Sequence, residues 1–354
     1  MPLTPVYGHE GLLARLEASL ASGRFPQAAL FIGPAGAGKQ RLALWVAQAL
    51  LCERGAGRPC DECQDCRLAR GLGHPDLHWL VPIPRPKGSD PAKQIDEVRE
   101  ALAEVWAERR AQGHWTAPDG AASHSLASVR WLQRVVSLTP FRARRKVIIV
   151  GDAERLVVQE ASPEAANALL KMLEEPPADT TVILTAAEPQ ALLPTVRSRV
   201  VPLRVGAVGD DVVRTFLERE LDPPPRGKAL ERRVVQAEGL IGRAVAGDEA
   251  GTERAATRAR TFLEAVSGGA PEWAAVALGQ APWGARGDFA AMLDALAIAL
   301  REQAAALATA TDRDGLRRRL AALRRVDEAR EGVGTNVNPQ LTLATLAREL
   351  EPLV

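Results

Sequence analysis

Two hydrophobic rhythms run along the chain, and they change places near residue 205. Before it, short β-rich runs at 28–32, 147–150, 181–185 and 200–205 stand between amphipathic segments. Strands spaced by helices predict a mostly parallel sheet covered on both faces, and the unbroken VIIV at 147–150 fits a strand buried on both sides. After it, apolar residues recur at helical spacing, as in Phe289, Met292, Leu296 and Leu300, then Leu316, Leu320 and Leu323. The pattern predicts an α/β domain over 1–205, a small helical lid over 206–247 and a separate helical bundle over 248–354. Between 81 and 123, PIPRPKGSDP and GHWTAPDGAASH flank one charged helical stretch, 92–112, which reads as a surface insertion mobile at both ends.

At 354 residues the chain exceeds one ordinary core, in keeping with several domains. Its 46% hydrophobic and 25% charged residues suit a soluble globular protein. No run of eighteen apolar residues suggests a membrane span, and MPLTPVYGHEGLLARL, with Glu10 and no apolar h-region, does not read as a secretory signal. A cytoplasmic location is the expectation. The net charge of +1 balances 45 basic against 44 acidic residues, so any contact with nucleic acid is local or made through other subunits.

Residues 28–44, ALFIGPAGAGKQRLALW, give a strand, a GxxxxGK loop and a helix. Gly33, Gly36 and Gly38 let backbone N–H groups close around phosphates at the helix N-terminus, where Lys39 meets the β/γ oxygens. The next position calls for a Ser or Thr hydroxyl as a Mg²⁺ ligand, and here it is Gln40. The second strand should lead into an acid for the metal and another for the attacking water. In VIIVGDAE the first of these is Gly151, and Asp152 stands where a catalytic Glu would. Two magnesium-handling positions altered together point to a nucleotide site that has lost hydrolysis. A frame slip, with Asp152 as the metal-binding acid, is the other reading.

All four cysteines, Cys52, Cys60, Cys63 and Cys66, lie in C-x7-C-x2-C-x2-C. Four thiolates with no open position describe a structural Zn²⁺ site, which would supply folding free energy to a stretch with almost no apolar residues. An iron–sulfur cluster or free thiols are the alternatives, and His74 and His78 read as bystanders. Farther on, TVILTAAEPQALLPTVRSRV sets Arg197-Ser198-Arg199 after a strand and a short helix, where an arginine can reach a neighbouring subunit's nucleotide or simply face solvent.

In this order the pieces resemble the bacterial clamp-loader AAA+ family over almost the whole chain apart from 81–123. YGHEGLLARLEASLASGRFPQAALFIGPAGAGK is similar to the family's opening region, and the four-Cys module sits at the family's place before HPDL. SVRWLQRVVSLTPFRARRKVIIVGDAERL, ANALLKMLEEPPADTTVILTA and the tail NVNPQLTLATL follow. The resemblance implies a P-loop AAA+ domain with a parallel sheet, an all-helical lid and an all-helical C-terminal collar domain used for oligomerisation. A hydrolysing gamma/tau-type subunit would keep Thr or Ser at 40 and Asp-Glu at 151 and 152, so this chain resembles the non-hydrolysing kind.

By the same resemblance, Ser198-Arg199-Val200 matches a Ser-Arg-Cys motif, with Val200 in place of Cys and Arg199 as an arginine finger acting in trans. Gly242-Arg243-Ala244 matches the lid's second sensor motif, although Arg243 also suits an ordinary surface helix. The implied partners are gamma/tau-type ATPase subunits and a delta-type subunit, with the sliding clamp and primed DNA reached through the complex. The chain would then be an accessory to a replicative DNA polymerase with no ATPase of its own. ATP or ADP in the cradle stays an open question, since Gln40 and Gly151 count against Mg²⁺. Two rival functions also stay open: an active gamma/tau-like ATPase of replication or repair, and a zinc-containing nucleic-acid-binding protein with a vestigial P-loop.

Overall fold

Strands β1 (Ala28–Ile32), β2 (Leu77–Leu80), β3 (Lys146–Val150), β4 (Thr180–Ala186) and β5 (Val201–Arg204) pair in parallel in the order β2-β3-β4-β1-β5. In this computed structural model the described residues are 3–55, 57–87, 90–112, 122–157, 164–245, 249–280, 286–310, 312–332 and 338–354. The chain divides into two compact units, Met1–Ala246 and Gly247–Val354. The expected boundary at 205/206 falls inside the first, while residue 247, most of 113–124 and the first two residues of NVNPQLTLATL lie outside the described residues.

In the first unit, helices α1 (Glu10–Ala21), α2 (Lys39–Leu51), α3 (Gln64–Arg70), α4 (Pro91–Gln112), α5 (Leu126–Ser137), α6 (Glu164–Glu174) and α7 (Pro194–Arg197) accompany the sheet. Every residue of β3 and β4 is buried, as a parallel sheet covered on both faces requires. The strand that the hydrophobic pattern did not disclose is β2. It is four residues long and interrupted by His78, yet it pairs with β3 from Leu77↔Val147 to Leu80↔Val150.

The stretch expected as a surface insertion is instead partly built into the core. An antiparallel bridge between Ile83 and Ser123 closes its base. Within α4, Ile95, Val98 and Leu102 are buried in the same core as the sheet, and Trp106 donates from its indole to Trp79 O at 2.9 Å. The spacing of those residues makes a helical apolar stripe that the many charges of α4 disguise. Next in the chain, α5 is capped at both ends. Ser125 Oγ accepts from Ser128 N, and the buried Lys146 ammonium donates to the carbonyls of Val135, Val136 and Leu138.

Helices α8 (Asp210–Glu220), α9 (Gly227–Ala237) and α10 (Ile241–Val245) enclose a small core of their own around Val213, Phe216, Leu217, Leu230 and Val234. Tyr7 joins it, edge-on to Phe216 with centroids 5.2 Å apart, and its hydroxyl donates to Glu220 at 2.5 Å. The second unit consists of α11 (Glu249–Gly268), α12 (Ala270–Gly279), α13 (Arg286–Thr309), α14 (Arg313–Gly332) and α15 (Pro339–Leu350). Its core gathers Phe262, Phe289, Met292, Leu296, Leu300 and Leu343. On α14 the expected stripe is corrected: Leu320 is exposed, and the helix buries Ala322, Leu323 and Val326. No helix among the described residues is long and apolar enough to cross a membrane.

Candidate functional site

The glycine loop leaves β1 and enters α2 at Gly38, which caps the helix with φ 85°. Gly151 follows β3, Thr185 lies near the end of β4 and Val205 follows β5, so the site stands at the carboxyl edge of the sheet. Gly33 borders β5 so closely that a Cβ there would meet Val205 O at 1.9 Å. Lys39 is buried, and its ammonium donates to Gly33 O at 2.8 Å and Pro34 O at 2.9 Å. Burial lowers its pKa, with Asp152 and Glu154 pulling the other way.

Beside the lysine, Gln40 and Gly151 turn out to be one feature. A Cβ on Gly151 would lie 2.6 Å from Gln40 Oε1 and 2.8 Å from Cδ, so the Gln40 amide fills the space that a side chain at 151 would need. Both poles of that amide are engaged. Trp79 Nε1 donates to Oε1 at 3.0 Å, and Nε2 donates to Asp152 Oδ1 at 3.2 Å.

Asp152 is held in the left-handed region at φ 49°, and its N–H donates to Thr185 Oγ1 at 3.0 Å. Burial raises its pKa, opposed by Arg155, Lys39 and the Gln40 hydrogen bond. Burial also raises that of Glu154, whose Oε1 accepts from Ala187 N at 2.9 Å. Against Gly151 O lies His124 Nε2 at 2.7 Å, an N–H donor in the neutral ring, and burial takes this histidine down to about 4. Trp79, His124 and Thr185 come from three separate segments and carry no local motif, so sequence reading does not find them.

The two positions expected to hold magnesium are filled otherwise, while the carboxylates of Asp152 and Glu154 remain beside Lys39. Residue 151 offers no side chain, and the one oxygen of the Gln40 amide already accepts from an indole N–H.

The helices after β5 reach the loop through backbone. Gly242 N donates to Gly36 O at 2.9 Å, and a Cβ on Gly242 would stand 2.6 Å from Gly36 Cα, an approach only two glycines permit. The Arg243 guanidinium is paired with Glu238 at 2.6 Å on the exposed face of this segment. What Arg243 presents to Gly36 is its amide nitrogen, 3.1 Å from where a Cβ would stand.

Arg199 lies between α7 and β5 and is exposed. Its guanidinium pairs with Glu174 at the end of α6 at 2.6 Å and donates to Thr195 O at 2.9 Å. These contacts aim the arginine without burying it.

The thiol sulfurs of Cys52, Cys60, Cys63 and Cys66 all lie within 4.8 Å of one another. Cys60 and Cys66 Sγ are 3.8 Å apart, which is about the edge of a tetrahedron with 2.3 Å metal–sulfur bonds. Backbone N–H groups of Cys63 and Cys66 point at Cys60 Sγ and Cys63 Sγ, both at 3.3 Å, and the bond from Cys63 N brings the Cys60 thiol down to about 6. The four can therefore hold a metal ion. His74 and His78 do not join them. His74 Nδ1 accepts from Asp76 N at 3.0 Å, while His78 stacks edge-on with Trp131 and falls to about 4 through burial.

Asp65, inside the cysteine run, reaches His74 Nε2 at 3.3 Å and accepts from Arg142, and Asp76 accepts from the N–H groups of Phe141, Arg142 and Ala143. The module is thus stitched to the turn that leads into β3.

Residues 8–208 match the family described as DNA polymerase III, delta subunit. The chain belongs to this family of clamp-loader subunits. It is 29% identical over 210 residues to the DNA polymerase III subunit delta' of Bacillus subtilis, covering 58% of this chain and 50% of that one. To the delta' of Pseudomonas aeruginosa it is 33% identical over 204 residues, 57% of this chain and 49% of the other. The gamma/tau subunit of Mycobacterium tuberculosis is 29% identical over 240 residues, covering 67% and 32% respectively. The chain thus spans about half the length of the delta' relatives it matches. Among solved structures it is similar to a DNA polymerase III gamma subunit-related protein of Thermotoga maritima, with 15% identity, 96% and 98% coverage and a TM-score of 0.45. The chain has an α/β P-loop domain with a five-stranded parallel sheet, followed by helical regions.

For this delta-family chain the contact between Gln40 and residue 151 is testable. Gly151→Asp forces a carboxylate into the amide and should destabilise the first unit by about 1–3 kcal/mol. Gln40→Thr vacates that space. Urea unfolding of the two single variants and the double should therefore give a coupling of about 1 kcal/mol or more in the stabilising direction. Additive effects would mean that the two positions do not share the space.

Proposed function

We propose that this chain is a non-hydrolysing, delta prime-type subunit of the DNA polymerase III clamp loader. One observation carries the reading: the Gln40 amide occupies the place of a side chain at 151, so the positions that would manage magnesium manage each other. Its contribution to catalysis is then made elsewhere. Arg199, exposed and oriented by Glu174, is the arginine finger offered in trans to a gamma/tau-type ATPase subunit, where a planar guanidinium stabilises charge on the transferring phosphoryl group.

In this reading the second unit is the collar through which the chain joins gamma/tau-type and delta-type subunits in the cytoplasm. The assembled loader opens the sliding clamp and sets it on primed DNA. The metal at the four cysteines is a structural Zn²⁺, which matches four thiols at tetrahedral spacing. The hydrogen bonds of Lys39 to its own loop and of Gly242 to Gly36 favour a cradle that keeps its shape without nucleotide. Reconstitution with gamma/tau-type and delta-type subunits tests the assignment. Clamp loading on primed DNA should require this chain, and full loading in its absence would remove the assignment.

A further inference from the structure

Helix α14 concentrates positive charge in a chain whose net charge is only +1. Between residues 313 and 325 six arginines stand against a single acid, Asp314. Two of the six serve the fold: Arg319 Nε donates to Gln303 Oε1 of α13 at 2.8 Å, and Arg325 pairs with Glu328 at 2.9 Å and faces Glu349 of α15 at 3.8 Å. Arg313, Arg317, Arg318 and Arg324 are exposed, and among the described residues none of their guanidiniums has a hydrogen-bond or ion-pair partner.

Three of those four fall on one line. Arg313, Arg317, Leu320 and Arg324 follow one another at spacings of four, three and four residues, which sets them on a single face, away from the buried Ala322, Leu323 and Val326. From Arg313 to Arg324 the row runs about 16 Å along the helix. Leu320, in the middle of it, is 49% exposed, so the row is basic with an apolar centre. Helix stability does not account for the arrangement, because like charges four residues apart, as at 313 and 317, disfavour the helix.

The row defines the chemistry of its partner. Unpartnered guanidiniums call for oxyanions, and a line about 16 Å long is too extended for one small ion. A polymer with a phosphate at every repeat can meet each arginine in turn. The surface of a duplex curves away from a straight helix and keeps its bases stacked inside, out of reach of Leu320. A single strand bends to follow the whole row and offers the face of an unpaired base to an apolar side chain. We infer that this face of α14 binds a single nucleic-acid strand, with Arg313, Arg317 and Arg324 on successive phosphates and Leu320 against a base. The inference does not rest on the clamp-loader reading.

Fluorescence anisotropy of a labelled oligothymidylate with the full chain, in salt from about 50 to 200 mM, tests this. Arg313→Gln/Arg317→Gln/Arg324→Gln should weaken binding by about tenfold or more at the lower salt and reduce the salt slope by about 2. The control Arg24→Gln/Arg226→Gln/Arg232→Gln, which removes three exposed arginines of the first unit, should change it by less than about twofold. Leu320→Gln should weaken binding by about threefold with the slope unchanged, since the contact it removes is apolar. Should the triple variant fail to fold, Arg317→Gln alone should lower the slope by about 0.7. Equal loss in the control, tighter binding of a duplex of the same length, or tighter binding of poly-L-glutamate than of the strand overturns the proposal.

Discussion

On the proposed arginine-finger reading, Arg199→Ala should abolish most hydrolysis at the neighbouring subunit's ATPase site. An arginine finger is worth roughly 10³–10⁵ in rate, so in a reconstituted loader single-turnover hydrolysis at that site should fall by about 10³ or more. Folding and assembly should be unaffected, since the side chain is exposed and its pairing with Glu174 is a surface ion pair of little worth to stability. Arg199→Lys should not rescue the rate, because an ammonium lacks the planar fork that spans two phosphate oxygens. Quench-flow hydrolysis with clamp and primed DNA present makes the measurement, and an unchanged rate would take the finger role away from Arg199.

The second large effect concerns the cysteines. Structural zinc in small peptides contributes about 10–16 kcal/mol of binding free energy at pH 7, and much of that is folding free energy. Cys66 is fully buried, and Asp65 beside it is the hinge of the contacts with His74 and Arg142. Cys66→Ser, or removal of metal by a strong chelator, should therefore loosen the turn before β3 as well as the module. Even about 3 kcal/mol of that loss lowers the melting temperature of a unit this size by about 6–12 °C. Elemental analysis should find one zinc per chain, lost in Cys66→Ser together with that drop. An unaltered melting temperature after metal removal would show that the four thiols need no ion.

Much of this was legible in the residues. The strand, glycine loop and helix at 28–44 are contiguous, and the cysteine spacing is local, so both can be read directly from the chain. β3 and β4 announce themselves as unbroken apolar runs because both of their faces are covered. β2 escaped because four residues with a histidine among them give no period, and the burial of α4, a helix expected over 92–112, escaped because its apolar stripe is dispersed among glutamates and arginines. Leu320 misled because helical spacing alone does not say which face packs inward.

The deepest gap was at the phosphate site. Gln40 and Gly151 stand out in the sequence as two separate departures from a hydrolysing pattern, but only the fold shows the amide of one filling the space of the other. Trp79 and Asp152 hold that amide at its two poles. Likewise Arg243 matches a motif by position, whereas in the fold its guanidinium is spent on Glu238 and the glycine before it makes the contact with the loop.

The central claim is that this chain lends chemistry to a neighbour's nucleotide and performs none on its own. The most direct measurement is ATP turnover by the isolated full-length chain with Mg²⁺, beside Lys39→Met as the blank. The two should be indistinguishable. Turnover that needs both magnesium and Lys39 would contradict the account.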